Sequence, residues 1–330
     1  MAKSTLKSLC KALDKKQPDR ELSKYIGIGG AAGLGSIIYC LTKTAKLLKE
    51  PSYLEYALKA SKLITDESIK SDKVLDIISG SAGAILGLIN LYKETNNKMV
   101  LDTANKCAKH ILSQQKKNET GHMAWETITE DKFLAGFSHG AAGISYALQR
   151  LYFITKNTDY LNAAKQALDF ETSIYSSEHN NWPDNRLSTD SNKYVMNAWC
   201  HGAIGIGLGR MAGLGIYDNE QSHLDIKYAL EKAKTINLTG PDHMCCGNGG
   251  AMELFLSGAE ILKQPDLKLR AAKIATFMID RKDKNNEYSM SSYVPDGLLS
   301  PGFFQGLSGI GHILLRVAHS DKIPAVLLWK

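Results

Sequence analysis

Glycine returns in spaced pairs along this chain. Six copies of Gly-x-x-Gly stand at Gly30-Ala-Ala-Gly33, Gly80-Ser-Ala-Gly83, Gly140-Ala-Ala-Gly143, Gly202-Ala-Ile-Gly205, Gly247-Asn-Gly-Gly250 and Gly306-Leu-Ser-Gly309. Their first glycines lie 45 to 62 residues apart. A loose but steady period of that length marks an array of one supersecondary unit. Each copy runs into a small-residue apolar segment, such as residues 84–92 or 144–152, that reads as a buried helix. A more polar helix with one apolar face precedes the next copy. Tyr53, Ala57, Ala60 and Ile64 form one such stripe, and Leu269, Ala272, Ala275 and Phe277 begin another. No segment sustains a period of two, so strands are not expected. Each unit is a helical hairpin with an inner and an outer helix. About six hairpins can close into an all-α fold, an α/α toroid or double-layered α-barrel. The glycines would bring the inner helices together at their N-termini, where partial positive charge and free N–H groups favour thiolates.

Residues 25–330 read as one toroidal domain, and residues 1–24, Lys-rich and containing Gln17-Pro18, as a lone helix or frayed lead-in. The polar stretches 116–120 and 176–192 read as long surface loops. The net charge of +6 comes from Lys and Arg scattered at helical spacing, the pattern of a solvated outer face rather than a nucleic-acid stripe. No apolar run is long enough to span a membrane, and no signal sequence opens the chain. With six cysteines and no disulfide-dense composition, a reducing cytoplasmic setting is expected. No glycine pair is followed by the Lys-Ser/Thr of a phosphate loop.

Three cysteines stand apart from the rest. Cys200 lies in Trp-Cys-His-Gly and Cys245-Cys246 in His-Met-Cys-Cys-Gly-Asn, all in the turns of the fourth and fifth repeats. Three thiolates converging there would hold zinc with one coordination position open, the mark of a catalytic site. The bland alternative is that they are small core residues. That reading is adopted for Cys10, Cys40 and Cys107, which sit within helical patterns away from the turns. His243, two residues before Cys245, could compete as a ligand. Trp125, Trp182 and Trp199 read as packing residues, with a peptide groove as the alternative.

In order, the chain carries Asp76-Ile-Ile-Ser-Gly-Ser-Ala-Gly, Gly136-Phe-Ser-His-Gly-Ala-Ala-Gly, Asn197-Ala-Trp-Cys-His-Gly, Cys245-Cys-Gly-Asn and Pro301-Gly-Phe-Phe-Gln-Gly-Leu-Ser-Gly-Ile-Gly. These motifs resemble the lanthionine synthetase C-like (LanC-like) cyclases, and among them the C-terminal cyclase domain of class II, LanM-type synthetases. The resemblance runs from about Tyr25 onward. It implies an α/α toroid holding one Zn2+ per chain on Cys200, Cys245 and Cys246. Most relatives carry Cys-His at the second motif, so Cys246 stands for the usual imidazole ligand, as in the three-cysteine variant of class II. The position where class I relatives often carry Arg is Met196 here, and the Tyr that can follow the first cysteine is His201.

The family reaction adds a cysteine thiol of a dehydrated precursor peptide (leader plus core) across dehydroalanine or dehydrobutyrine, giving lanthionine or methyllanthionine. The dehydratase is expected as a further domain or a separate chain. Zinc would deprotonate the thiol, and three protein thiolates would leave a more negative, more donating centre than a Cys-Cys-His set. An acid must then protonate the enolate. The residues alone leave His139 open between a satisfied core group and an acid; the resemblance makes it the acid. Asp76 is implied as its partner or as a contact of the thiol, against a helix N-cap reading. His201 is implied beside the metal, as acid or support. The alternatives are a non-catalytic zinc- and thiol-binding scaffold on the same fold, and a toroidal prenyltransferase or glycosidase. Asp76 is the only acid confidently placed in an inner turn, which counts against the glycosidase.

Overall fold

An α-helix leaves its first N–H groups without partners, and each glycine turn meets part of that need with a backbone carbonyl. Gly33, Gly80, Gly202, Gly247 and Gly306 are the N-caps of the helices they precede, with no side chain to offer. The donors are taken by carbonyls seven residues upstream: Leu34 N to Gly27 O, Ala82 N to Leu75 O, Ala141 N to Leu134 O, Gly205 N to Ala198 O, Asn248 N to Pro241 O, and Leu307 N to Ser300 O. All six repeats thus close with a seven-residue backbone hydrogen bond, given by the first helical residue in four of them, the second after Gly80 and the third after Gly202. This corrects the expectation of free helix N–H groups awaiting thiolates, since the loops' own carbonyls already hold these donors. The close approach demands glycine most plainly at Gly202, where φ is +87° and a Cβ would lie 1.8 Å from the Met196 carbonyl oxygen.

The computed structural model describes residues 2–15, 27–187, 193–290 and 300–330. They divide into two units, one of residues 1–131, 147–167 and 329, the other of 132–146, 168–328 and 330. In the first, α2 (Leu34–Leu48) packs on α3 (Ser52–Ser61), and α5 (Ser81–Thr95) on α6 (Lys98–Ser113), with α2 also against α5. The short α4 (Asp66–Lys70) lies on α6. Inner helix α5 is buried from Ser81 through Leu91 because it carries small and aliphatic residues on every face. On α3 the expected stripe of Tyr53, Ala57 and Ala60 is buried, and Ile64 continues it just beyond. Helix α1 (Ala2–Leu13) buries Leu6, Cys10 and Leu13. Asp14 beyond its end accepts hydrogen bonds from Tyr56 Oη at 2.9 Å and Lys59 Nζ at 2.6 Å. The boundary expected at residues 24–25 lies outside the described residues.

Two expectations in this unit are corrected. Cys40 is exposed, because the buried face of α2 runs through Ile38, Leu41, Thr42 and Ala45 and leaves position 40 on the far side. The polar stretch at 116–120 is not all loop: β1 (Lys116–Lys117) pairs antiparallel with β2 (Met123–Ala124). That ribbon leads into Trp125, whose indole N–H donates to the Ile111 carbonyl at 2.8 Å.

Helices α7 (Ala141–Thr155) and α8 (Thr158–Ser173) contribute to both units. The second unit adds α9 (Ala203–Gly213) on α10 (Glu220–Ala233), α11 (Asn248–Ile261) on α12 (Pro265–Asn285), and α13 (Leu307–Ala318). On α12 the buried stripe is Leu267, Ala271, Ile274, Ala275 and Met278, while Leu269 is exposed. The expected stripe was therefore out of register; four- and three-residue steps from Leu267 define the face that packs. Among the described residues no outer helix follows α13, so five inner–outer pairs and a sixth inner helix are seen. No helix among them is long and apolar enough to cross a membrane.

Candidate metal centre

Within the second unit, four Gly-rich turns are tied together by backbone. Ser138 donates its N–H at 3.2 Å and its hydroxyl at 3.1 Å to the carbonyl oxygen of Cys200. The N–H groups of Trp199 and Cys200 donate to the Cys245 carbonyl at 3.0 and 3.4 Å. Cys245 N–H in turn donates to Phe304 O at 2.9 Å. Each loop is closed internally by its own seven-residue hydrogen bonds, so these links are free to fix one turn against the next. Gly136, with φ at +105°, lets the first turn come this close: a Cβ there would meet the Cys200 carbonyl oxygen at 2.7 Å. Trp199 stacks on Phe304 with ring centroids 5.2 Å apart and packs beneath the cluster, fully buried.

The result brings Cys200, Cys245 and Cys246 together with all three sulfurs within 4.8 Å of one another. Cys200 Sγ lies 3.0 Å from Cys246 Sγ, which lies 3.3 Å from Cys245 Sγ. Crowded thiols cannot all ionise without a cation. Hydrogen bonds from Cys200 and Cys245 hold Cys246 down to about 3, against the opposing effect of burial. The same hydrogen bonding and burial push Cys200 up. Tetrahedral zinc thiolates need sulfur–sulfur edges of about 3.8 Å, and the three sulfurs here all lie within 4.8 Å of one another. The donor set therefore fits a thiophilic metal ion. His243 is not part of it; buried, it accepts the Cys246 N–H on Nδ1 at 3.3 Å.

Beside the cluster stand two histidines. His139, half-buried in the Ser138 turn, stacks on His201 with ring centroids 5.6 Å apart and planes 26° apart. Burial pushes His201 down to about 4, only partly countered by the negative charge of Asp184. Asp76 belongs to the first unit, where its Oδ1 accepts the N–H groups of Ser79 at 2.8 Å and Gly80 at 3.2 Å. The N-cap itself is Gly80, so Asp76 shapes the turn from four residues before rather than capping the helix. Asp72 caps more directly, accepting Ser81 N and Oγ on Oδ2, both at 2.7 Å.

Several supporting residues carry no sequence signal. The stretch 176–187, expected as a surface loop, buries Asn181, Trp182 and Asp184. Asn181 Oδ1 accepts Ala203 N at 2.9 Å while its Nδ2 donates to Met196 O at 2.9 Å, clasping both ends of the Cys200 loop. Asp184 binds Arg186 through both carboxylate oxygens. Glu171 of α8, fully buried, accepts the N–H groups of Gly136 and Ala142 at 3.0 Å each and pairs with Arg210 at 2.9 Å. Arg210 also pairs with Asp225 at 2.9 Å. This buried triad anchors the His139 turn to the helix that follows Cys200. Removing one member would leave uncompensated charge, a cost of about 3–5 kcal/mol. A paired Asn or Glu in a loop looks like any surface residue until the fold closes over it.

The sequence model of the family described as lanthionine synthetase C-like protein matches residues 1–328. The lacticin 481/lactococcin biosynthesis protein LcnDR2 of Lactococcus lactis subsp. lactis is 26% identical over 266 residues, 77% of this chain and 26% of that protein. The chain thus spans about a quarter of the length of that relative. Among solved structures, nisin cyclase matches with a TM-score of 0.71 at 16% identity, over 97% of this chain and 89% of that one. An alpha-1,6-mannanase from Salegentibacter sp. matches with a TM-score of 0.57 at 13% identity, over 98% of each chain. Identities this low speak for fold alone, and the fold class is the α/α toroid expected from the glycine repeat.

Proposed function

The chain belongs to the lanthionine synthetase C-like family, and from that premise we propose that it is a zinc-dependent cyclase of dehydrated peptides. It would join a cysteine thiol to a dehydroalanine or dehydrobutyrine as a lanthionine or methyllanthionine thioether. The observation that carries the reading is the convergence of Cys200, Cys245 and Cys246 beside the stacked pair His139–His201.

Zinc on the three cysteines would supply a Lewis acid that lowers a substrate thiol pKa from its usual ~8.5 into the neutral range. The chain's own residues do the remaining work. His139 delivers a proton to the α-carbon after carbon–sulfur bond formation. His201, stacked on it and neutral through burial, fixes its ring plane. Ser138 and Glu171 hold the turn that carries it. A part for Asp76 in proton transfer rests on the resemblance. The partners are a precursor peptide with leader and core and a dehydratase, as a domain or another chain. Free cysteines and a thiol substrate suit a reducing cytoplasm.

The test is direct. Zinc-loaded protein is incubated with a dehydrated precursor peptide, and free thiols are alkylated before mass spectrometry. Loss of alkylation at unchanged peptide mass supports the cyclase. Tight peptide binding with every thiol still alkylated would replace it with the scaffold reading.

A further inference from the structure

Arg186 stands beside the cysteine cluster with a part of its guanidinium uncommitted. Its Nε donates to Asp184 Oδ1 at 2.9 Å and Oδ2 at 3.2 Å, and its Nη2 to Oδ2 at 2.6 Å. Nη2 also rests 3.6 Å from Met196 Sδ, in the loop that carries Cys200. Nη1 has no hydrogen-bond partner among the described residues. Asp184 itself is buried, with a side chain 1% exposed against 30% for Arg186. A buried carboxylate thus grips one edge of a partly open guanidinium and aims the rest.

Resting on the cyclase reading above, we propose that Arg186 is a catalytic residue that binds the enolate oxygen formed when the substrate thiolate adds to the alkene. In that step a carbon–sulfur bond forms at the β-carbon. The alkene π pair moves into a new double bond between the α- and carbonyl carbons, and the carbonyl π pair moves onto oxygen. Protonation at the α-carbon then restores the amide. The proton lost by the thiol balances the one gained, with no change of oxidation state overall. The negative charge appears on an amide oxygen three bonds from the new carbon–sulfur bond. The nearby thiolates would repel that charge, and a guanidinium held by Asp184 supplies the opposing sign. Asp184 keeps Arg186 from collapsing onto the thiolates, because it already occupies Nε and Nη2.

3-Mercaptopropionate tests this, because its sulfur and carboxylate are linked as sulfur and oxygen are in the enolate adduct. On zinc-loaded protein at pH 7, calorimetry should show it binding at least tenfold more tightly than its neutral amide. Arg186→Gln should erase that preference while keeping zinc and peptide affinity, and should lower kcat of cyclisation by about 10²–10³, the usual worth of an oxyanion donor. Added methylguanidinium should restore part of the rate. Equal affinity of wild type for the acid and the amide overturns the proposal, even if Arg186→Gln fails to fold. A rise in KM at unchanged kcat also overturns it, assigning Arg186 to ground-state binding. If wild type forms no rings, the cyclase reading falls instead, and the mercapto-acid preference still reports on Arg186 separately.

Discussion

Ser138 gives both of its hydrogen bonds to a single acceptor, the carbonyl oxygen of Cys200. The residue after Ser138 is the proposed acid and the acceptor belongs to a proposed ligand, so acid and metal positions are coupled through one peptide group. Ser138→Ala keeps the N–H link and loses the hydroxyl one. The expected result is full zinc content, a stability loss of about 1 kcal/mol in urea unfolding, and a severalfold slower cyclisation.

Cys200→Ala and Cys245→Ala should each lose zinc and ring formation together while remaining folded, since a small apolar residue suits a buried turn. Elemental analysis and circular dichroism decide it. Retention of one equivalent of zinc in either variant would remove that cysteine from the ligand set.

Proton delivery is separable from metal binding. His139→Asn should keep zinc and slow cyclisation by about 10²–10⁴, the usual worth of a positioned acid. Asp76→Asn preserves the Oδ1 acceptor that holds Ser79 and Gly80, so it should fold normally; a slower rate there would give Asp76 a chemical role. An unchanged rate would leave it as the builder of its turn alone.

Cys246→His exchanges the three-thiolate set for one with an imidazole. Less negative charge at the centre makes a bound sulfur less donating, so cyclisation should slow with zinc retained. Equal rates on the same peptides would show that ligand charge does not govern the reaction.

Acid should weaken the protein partly through Asp184. Burial pushes its carboxyl up, but hydrogen bonds from Arg186 and the charge of that residue outweigh this and hold it below the ordinary value. A depressed pKa contributes stability that is present above the unfolded value of ~3.9 and lost as pH falls through the folded one. Urea unfolding of Asp184→Asn should therefore differ most from wild type near neutrality, and the gap should close on acidification.

The cysteine cluster was legible because a rare residue type recurred at one point of a repeating turn. The hairpins were legible because the glycine pairs punctuate them. What escaped was everything that joins one turn to another. Ser138 meets a carbonyl 62 residues away, Glu171 an amide 35 residues back, and Cys245 a carbonyl in the loop of Phe304. Such pairings leave no local periodicity. Asn181, Asp184 and Arg186 lie in a polar stretch that reads as surface, and only the fold sets Arg186 against Met196 in the Cys200 loop. Leu269 misled for a related reason: both it and Leu267 begin plausible apolar stripes, and only packing chooses between them.

The seven-residue backbone closure has a consequence for how such a chain can change. Because a seven-residue main-chain hydrogen bond closes every turn, the side chain just before the first glycine is not needed to close it. In the second to sixth repeats that position holds Ser79, His139, His201, Cys246 and Gln305, while in the first the helix is capped by the second glycine, Gly33. Two of these form the stacked pair and one is a proposed ligand. The architecture behaves like a rack of identical sockets, in which reagents can be swapped one at a time without rewiring the frame.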